Sequence, residues 1–232
     1  MNYSFRFAPV INRLDLLLSG LVTTVWISFM AIVLGFALGL AGAYAIRSRW
    51  TWLRLVLGAY VEAIRNTPLL AQLFFIYFGL PGLGIRLDAI SAAMIALVVN
   101  LGAYTTEIVR GGLEAVPAGQ TDAGLALGFT RVQVFFLIVL KPALKIMFPA
   151  LAGQFTLLML ATSILSQIGV EDLFHMASLI DSATYRSFEV YLVTCGFYLA
   201  LALCFRLAFA LLYWVVFSER APAELPPTVA TT

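Results

Sequence analysis

Uninterrupted apolar runs of bilayer length decide what this chain can fold into. A helix crossing the hydrocarbon core needs about 20 predominantly apolar residues. The sequence offers five such runs: Leu14 to Ile46, Trp52 to Leu80, Ala89 to Val109, Ile146 to Ile168 and Phe188 to Phe217. A soluble domain carries roughly 25% charged residues, whereas this chain of 232 residues carries 11% and is 62% hydrophobic. The runs take up most of the chain, so the expectation is an all-α membrane protein of five transmembrane helices, one membrane domain over residues 1–220. The first run is too long for a signal-peptide core and lacks a small-x-small cleavage site, so it reads as an anchor. Val132 to Leu140 is apolar but too short to span, and Lys141 and Pro142 read as its stop. The tail from Ala221 to Thr232, rich in Pro and Thr, reads as disordered.

Orientation follows from the bias of Lys and Arg toward the cytoplasmic side. With the N-terminus outside and the C-terminus inside, the inner side holds Arg47, Arg49, Arg54, Arg110, Arg131, Lys141, Lys145 and Arg220. The outer side then holds only Arg6, Arg13, Arg86 and Arg186, while Arg65 and Arg206 fall within spans. The longest loop, residues 111–145, faces the cytoplasm in this topology, and the loop from Gly169 to Ser187 faces outward. In that outer loop Val170, Leu173, Phe174, Ala177 and Ile180 recur at helical spacing, as in an amphipathic surface helix.

An ionisable residue at the bilayer centre costs about 2.5–3.5 kcal/mol on insertion scales, so each needs a partner or a wet surface. The second run contains Glu62, Arg65, Asn66, Thr67, Pro68 and Gln72. Pro68 removes a helical hydrogen bond and drives Thr67 out of helical geometry. A break with freed carbonyls is one way transporters build a site; a kinked helix in which Glu62 and Arg65 neutralise each other is the other reading. The third run places Asn100, Tyr104 and Glu107 on one stripe, with Arg110 a turn beyond. Such a stripe faces either a water-filled path or a hydrogen-bonded helix interface. In the fourth run Thr162, Ser163 and Ser166 share one arc, and their hydroxyls either line a path or bond their own backbone.

Several functions are excluded by what the chain lacks. Lys141 and Lys145 follow leucines, so no G-x-x-x-x-G-K-[ST] loop is present to cradle nucleotide phosphates. His175, the single histidine, has no companion ligands in its loop, so no metal site is expected. Cys195 and Cys204 sit roughly 13 Å apart along one helix and cannot bridge each other within it. A net charge of +2 without a dense basic block argues against nucleic acid. No nucleophile, base and orienter group surrounds Glu62 or Glu107, so no catalytic residue is assigned.

The long loop runs Pro117, Ala118, Gly119, Gln120, then TDAGLALG from Thr121 to Gly128. Its small residues Ala123, Gly124 and Gly128 permit close approach of another backbone, in a docked helix or in an internal packing element. With YVEAIRNTPLLAQLFFIYFGLP (Tyr60 to Pro81), GAYTTEIVRGGLEAVPAGQ (Gly102 to Gln120) and SATYRSFEVYLV (Ser182 to Val193), the chain resembles the permease subunits of ABC importers for polar amino acids, of the histidine, glutamine, glutamate, arginine and opine type. The matching stretches stand in family order across nearly the full length.

That resemblance implies a type I ABC importer permease fold in the bacterial inner membrane. It further implies a permease dimer, a pair of cytoplasmic ATPase subunits that carry the ATP and Mg, and an extracytoplasmic amino-acid-binding protein. The loop before the fourth span would be the coupling helix, which fits a cleft on the ATPase. Its family signature is E-A-A, three residues, G, nine residues, I, one residue, L-P. Asp122, Ala123 and Gly124 occupy the first positions, Gly128 the glycine, and Ile138 and Leu140 the apolar positions; with Gln120 they form the implied ATPase contact. Gly124 replaces the second alanine, and Lys141 stands where the proline is expected, with Pro142 one residue late. Many relatives carry a Lys-Asp pair before Thr-Ser in the fourth span, where this chain has Leu160 and Ala161. These departures favour a heterodimer with a different permease. Contacts to the transported molecule, the resemblance being granted, fall to Gln72, Asn100, Tyr104, Glu107, Thr162, Ser163 and Ser166, with Thr67 and Pro68 as the helix break. A self-sufficient channel or secondary transporter is the rival reading; it predicts transport without an ATPase, and no inverted repeat supports it.

Overall fold

A computed structural model describes residues 4–218, which are helical and contain no strand. After a single turn at Ala8–Ile11, helix α1 runs over Leu14–Ala45, α2 over Thr51–Arg65 and α3 over Leu69–Leu83. Helix α4 follows over Ala89–Glu114, the short α5 over Ala118–Ala126, α6 over Arg131–Ile168, α7 over Leu173–Thr184 and α8 over Ser187–Phe217. Four of these, α1, α4, α6 and α8, are individually long and apolar enough to cross a membrane. The second expected span is split into α2 and α3. The tail from Ala221 lies outside the described residues.

The split has a local cause. Pro68 is extended (ψ 137°) and has no N–H to offer, so α2 ends at Arg65. The carbonyls left over are taken by side chains: the Thr67 hydroxyl donates to Ala63 O at 2.7 Å and the Asn66 amide to Glu62 O at 2.9 Å. Past the break, α3 passes from α-helix through a π turn at Phe75–Gly79 to a 3-10 end at Leu80–Leu83.

The fourth span corrects the sequence reading. Val132 to Leu140 is no separate short segment; it is the first part of α6, which continues through Lys141 and Pro142 to Ile168. A proline inside a helix clashes with the carbonyl four residues earlier, here Ile138. That carbonyl lies in a π turn, Phe135–Val139, in which the Leu140 N–H bonds to Phe135 O. The widened turn absorbs the missing donor, and the loop contracts to residues 115–130. A Thr130–Gln133 capping box starts α6.

α1 and α4 form the most extensive helix pair. Gly35, Gly39 and Gly42 line one side of α1 at i, i+4, i+7 and meet Leu101, Thr105 and Thr106. A Cβ at Gly35 would sit 2.8 Å from that of Leu101, and one at Gly39 would overlap Thr105. The Thr106 hydroxyl donates across the seam to Gly39 O at 3.2 Å. Lipid tails are as apolar as leucine, so close backbone packing and such bonds, rather than exclusion of water, hold helices together in a bilayer.

The amphipathic helix expected after the fourth span is α7. Its apolar face is buried against α1 and α8, with Leu173, Ala177 and Ile180 inaccessible. Gly20 lets α1 approach so closely that a Cβ there would lie 2.7 Å from Asp172 O. At the same end Arg6 N–H donates to the buried Glu189 carboxylate at 2.9 Å, which ties the N-terminal segment to the start of α8. α8 itself exposes Leu199, Leu203, Leu207 and Leu211 as a continuous apolar ridge.

Asp172 caps α7, accepting from His175 N–H at 2.9 Å and from the Tyr198 hydroxyl at 3.4 Å. It is fully buried, and burial pushes its carboxyl up to about 6. The folded chain therefore holds a proton that the unfolded chain has released between roughly pH 4 and pH 6. Stability is greatest below that window and falls as pH rises through about 6. The variant Asp172→Asn, which keeps the cap acceptor, should match the parent near pH 4 and exceed it near pH 8 by up to roughly 3 kcal/mol. Thermal denaturation of the two proteins in detergent at both pH values checks this; parallel pH profiles would contradict it.

Candidate functional site

The polar residues of the second and third spans converge at the α2–α3 break. Gln72, one turn into α3, folds back over it: its amide nitrogen donates to Ile64 O at 2.8 Å, Thr67 O at 3.1 Å and Thr67 Oγ1 at 2.8 Å. Its amide oxygen accepts from Asn100 Nδ2 of α4 at 3.0 Å. Asn100 is buried, and this bond satisfies it in surroundings where an unpaired amide is costly. The break is thus braced by α4 and by its own side chains, so its carbonyls are engaged rather than free.

One and two turns along α4 the stripe becomes charged. Tyr104 presents its ring to Arg65, whose guanidinium carbon lies 5.6 Å from the centroid, within cation–π range. Arg65 also reaches Glu107 at 3.8 Å. Glu107 is held by Arg110 in a two-point pair, with Nε to Oε2 at 2.9 Å, and Arg110 in turn meets Glu114 at 2.7 Å. A ladder Arg65, Glu107, Arg110, Glu114 therefore runs down α4 toward the α5 end of the molecule. Glu107 is about a quarter exposed and Arg65 and Arg110 about a third, so the ladder borders an open surface rather than a sealed core.

The pairing of Glu62 with Arg65 does not form. Glu62 accepts from the Asn66 amide at 2.7 Å, and Arg65 crosses to α4. The break ends α2 right after Arg65, so the side chain leaves the helix end toward the neighbouring stripe. Tyr60, which the sequence reading passed over, donates from its hydroxyl to Val99 O at 2.6 Å and pins α2 to α4. Arg65 and Tyr60 carried a signal: both precede the proline break on a helix that must pack against the polar stripe.

Thr162, Ser163 and Ser166 do not join this group through any hydrogen bond. They lie in the 3-10 end of α6, Thr162–Ile168, and donate to Met159 O, Leu160 O and Ser163 O at 2.7, 2.9 and 2.8 Å. Their hydroxyls serve their own helix, one of the two readings left open by the sequence.

The second group of expected residues forms α5. Gln120, Asp122 and Ala123 are exposed on it, while Gly124 is buried. A Cβ at Gly124 would fall 2.6 Å from Ile138 Cδ1 and 2.9 Å from Val134 Cγ2, so the glycine is what allows α5 to lie on α6. Gly128 ends α5 with φ +85°, its N–H bonded to Leu125 O at 3.0 Å and that of Phe129 to Gly124 O at 3.2 Å. That bond pattern is a Schellman cap, which requires a left-handed residue and so favours glycine. Among the described residues no group of three His, Cys, Asp or Glu side chains is placed to hold a metal ion.

Over the described residues the chain is helical, with a broken second span and a short exposed helix ahead of the long α6, and four of its helices are long and apolar enough to cross a membrane. The family model of the binding-protein-dependent transport system inner membrane component matches residues 31–217, and this chain belongs to that family. It is 37% identical over 203 residues to a probable glutamine ABC transporter permease of Bacillus subtilis (strain 168), covering 88% of this chain and 92% of the relative. It is equally 37% identical over 213 residues to an octopine transport system permease of Rhizobium radiobacter, with 88% and 87% covered. Among solved structures it is similar to an amino acid ABC transporter crystallised with histidines, with TM-score 0.85, 35% identity and 90% and 98% coverage. An inward-facing methionine ABC transporter, 21% identical with TM-score 0.72 over 89% and 99% of the chains, shares the fold. The fold is that of a type I ABC importer permease, and the protein resides in the bacterial inner membrane.

Proposed function

We propose that this chain is one permease half of an ATP-driven importer that takes up a polar amino acid handed over by an extracytoplasmic binding protein. The observation that carries the reading is the seating of α5 on α6 through Gly124, which links an exposed helix end to a span. ATP closes a pair of cytoplasmic ATPase subunits; α5, held in their cleft through Gln120, Asp122 and Ala123, moves with them. Val134 and Ile138 lie directly against Gly124, so that motion enters α6 at its first turns. α6 is one continuous helix of roughly 57 Å and carries it to the Thr162–Ser166 end. The two-state element required for coupling is α5 with α6.

In this reading the N-terminus is outside and the C-terminus inside, which puts Arg47, Arg49, Arg54 and α5 in the cytoplasm as the charge bias expects. The path for the amino acid runs past Gln72, Asn100, Tyr104 and Glu107, where an α-carboxylate meets Arg65 and an α-ammonium meets Glu107. Thr162, Ser163 and Ser166 complete the path at the outer end. ATP and Mg bind the partner ATPase. The partner permease is a different chain: Lys141 and the Leu160–Ala161 pair support this, whereas Gly124 does not, since its packing on α6 accounts for it.

The variant Gly128→Val tests the coupling. A left-handed residue with a side chain costs about 1–2 kcal/mol, which unwinds the cap of α5 while leaving the spans untouched. ATP hydrolysis stimulated by loaded binding protein should fall roughly tenfold at unchanged membrane level. Undiminished stimulation would overturn the role of α5, and transport by the chain without any ATPase would favour a channel or secondary transporter.

A further inference from the structure

Beside the α5 end of the molecule, the termini of α1 and α4 and the first turns of α6 enclose an open cleft of about 690 Å³. Leu40, Val109, Leu113, Phe136 and Leu144 form its walls, and its mouth is polar, with Arg47 and Ser48. Val134 and Ile138, which carry α5, are not among the walls, so the cleft is separate from the coupling contact. Tyr44, which lines the cleft, is 86% exposed, and Trp50 and Trp52, shortly past Arg47 in the sequence, are 53% and 61% exposed. Exposed tyrosine and tryptophan at the end of a span mark the headgroup level of a bilayer. Arg49 follows on the same α1–α2 connection and Arg54 in the first turn of α2, and no ion pair engages Arg47 among the described residues.

We infer that this cleft is a binding site for one anionic phospholipid, its acyl chains along Leu40, Leu113 and Phe136 and its phosphate on Arg47 and Ser48. The two halves of the cleft select the occupant. An apolar interior open to the surrounding hydrocarbon accepts an acyl chain, and a cationic rim at headgroup level favours a negative phosphodiester over a zwitterionic one; each arginine near the surface contributes about a fivefold preference. Phe135 and Phe136 belong to the π turn between α5 and the rest of α6. A lipid wedged there fills the space against which that turn moves, so occupancy regulates the coupling proposed above. The leaflet assignment, though not the site itself, rests on the cytoplasmic placement of α5.

The test purifies the intact complex from its native membrane, exchanges it into nanodiscs of phosphatidylcholine with or without phosphatidylglycerol, and counts retained phospholipid by native mass spectrometry. The expected result is preferential retention of phosphatidylglycerol, one molecule per copy of this chain. Arg47→Glu should reduce that retention fivefold or more, about the effect of one arginine or greater. Leu113→Trp, which fills the cleft without changing charge, should reduce it as well, while Arg206→Gln, in the separate groove between α6 and α8, should leave it unchanged. Equal retention of both lipids, or retention that survives Arg47→Glu, would overturn the site. Retention is read without any ATP hydrolysis, so failure of the lipid site and failure of the importer reading are told apart. Selective retention with the Arg47 end reached only by an outside label would keep the site and move it to the other leaflet.

Discussion

Replacing Gly39 with leucine should remove the protein from the membrane. The backbone of α1 lies against Thr105 and Gly102 of α4 at this position, and even a Cβ overlaps the Thr105 side chain. A flexible neighbour would yield, but Thr105 is β-branched, fully buried and flanked by the Thr106 bond to Gly39 O. Overpacking a core costs about 1–3 kcal/mol, and here the obstruction separates two backbones along a seam that continues through Gly35 and Gly42. The loss should reach or exceed the top of that range, enough to unfold a marginally stable chain. Gly58→Leu is the matched control, since nothing lies within 4 Å of a Cβ there. Folded yield after detergent extraction should collapse for Gly39→Leu and hold for Gly58→Leu; equal yields would show that the α1–α4 seam is looser than described.

The second large effect belongs to Glu107. This carboxylate stands between Arg65 and Arg110 within the membrane region, and Glu114 is at the far end of the ladder. Glu107→Gln leaves two guanidinium groups facing each other with their shared counter-ion gone. Breaking a buried pair costs about 3–5 kcal/mol; the partial exposure of all three groups lowers this to roughly 2–3 kcal/mol. Transport in proteoliposomes should drop roughly 30- to 160-fold, while Glu114→Gln, at the more exposed end, should have a small effect. The double variant Arg65→Gln with Glu107→Gln should recover folded yield without recovering transport if the pair contacts the amino acid. Full recovery of transport would make the pair purely structural.

Four of the five expected spans, and the break in the other, were legible because their causes are local: apolar length for the spans, and Pro68 with its missing donor for the break. The stripe of Asn100, Tyr104 and Glu107 was legible from helical spacing, which is also local. Its partners were not. Arg65 stood close enough to Glu62 in sequence to pair with it, and only the end of α2 at the break turns it across to α4. The start of α6 was misread because Lys141 and Pro142 look like a stop; the π turn that accommodates Pro142 has no signature in a run as uniformly apolar as FFLIV. Gly124 read as a small residue permitting close approach, either to a partner or within the chain; that it packs within the chain is decided by Val134 and Ile138, ten and more residues along. The α1 glycines at i, i+4, i+7 carried their meaning in plain spacing and could have been found.

The central claim is that this chain works only as the membrane half of a larger, ATP-driven assembly. Its most direct test is the intact mass and subunit composition of the complex purified, in mild detergent, from the native membrane through a tag on this chain. The account predicts a pair of ATPase subunits together with a second, different permease. Two copies of this chain with an ATPase pair would uphold the importer and contradict the heterodimer, and a chain recovered reproducibly without any ATPase would contradict the central claim.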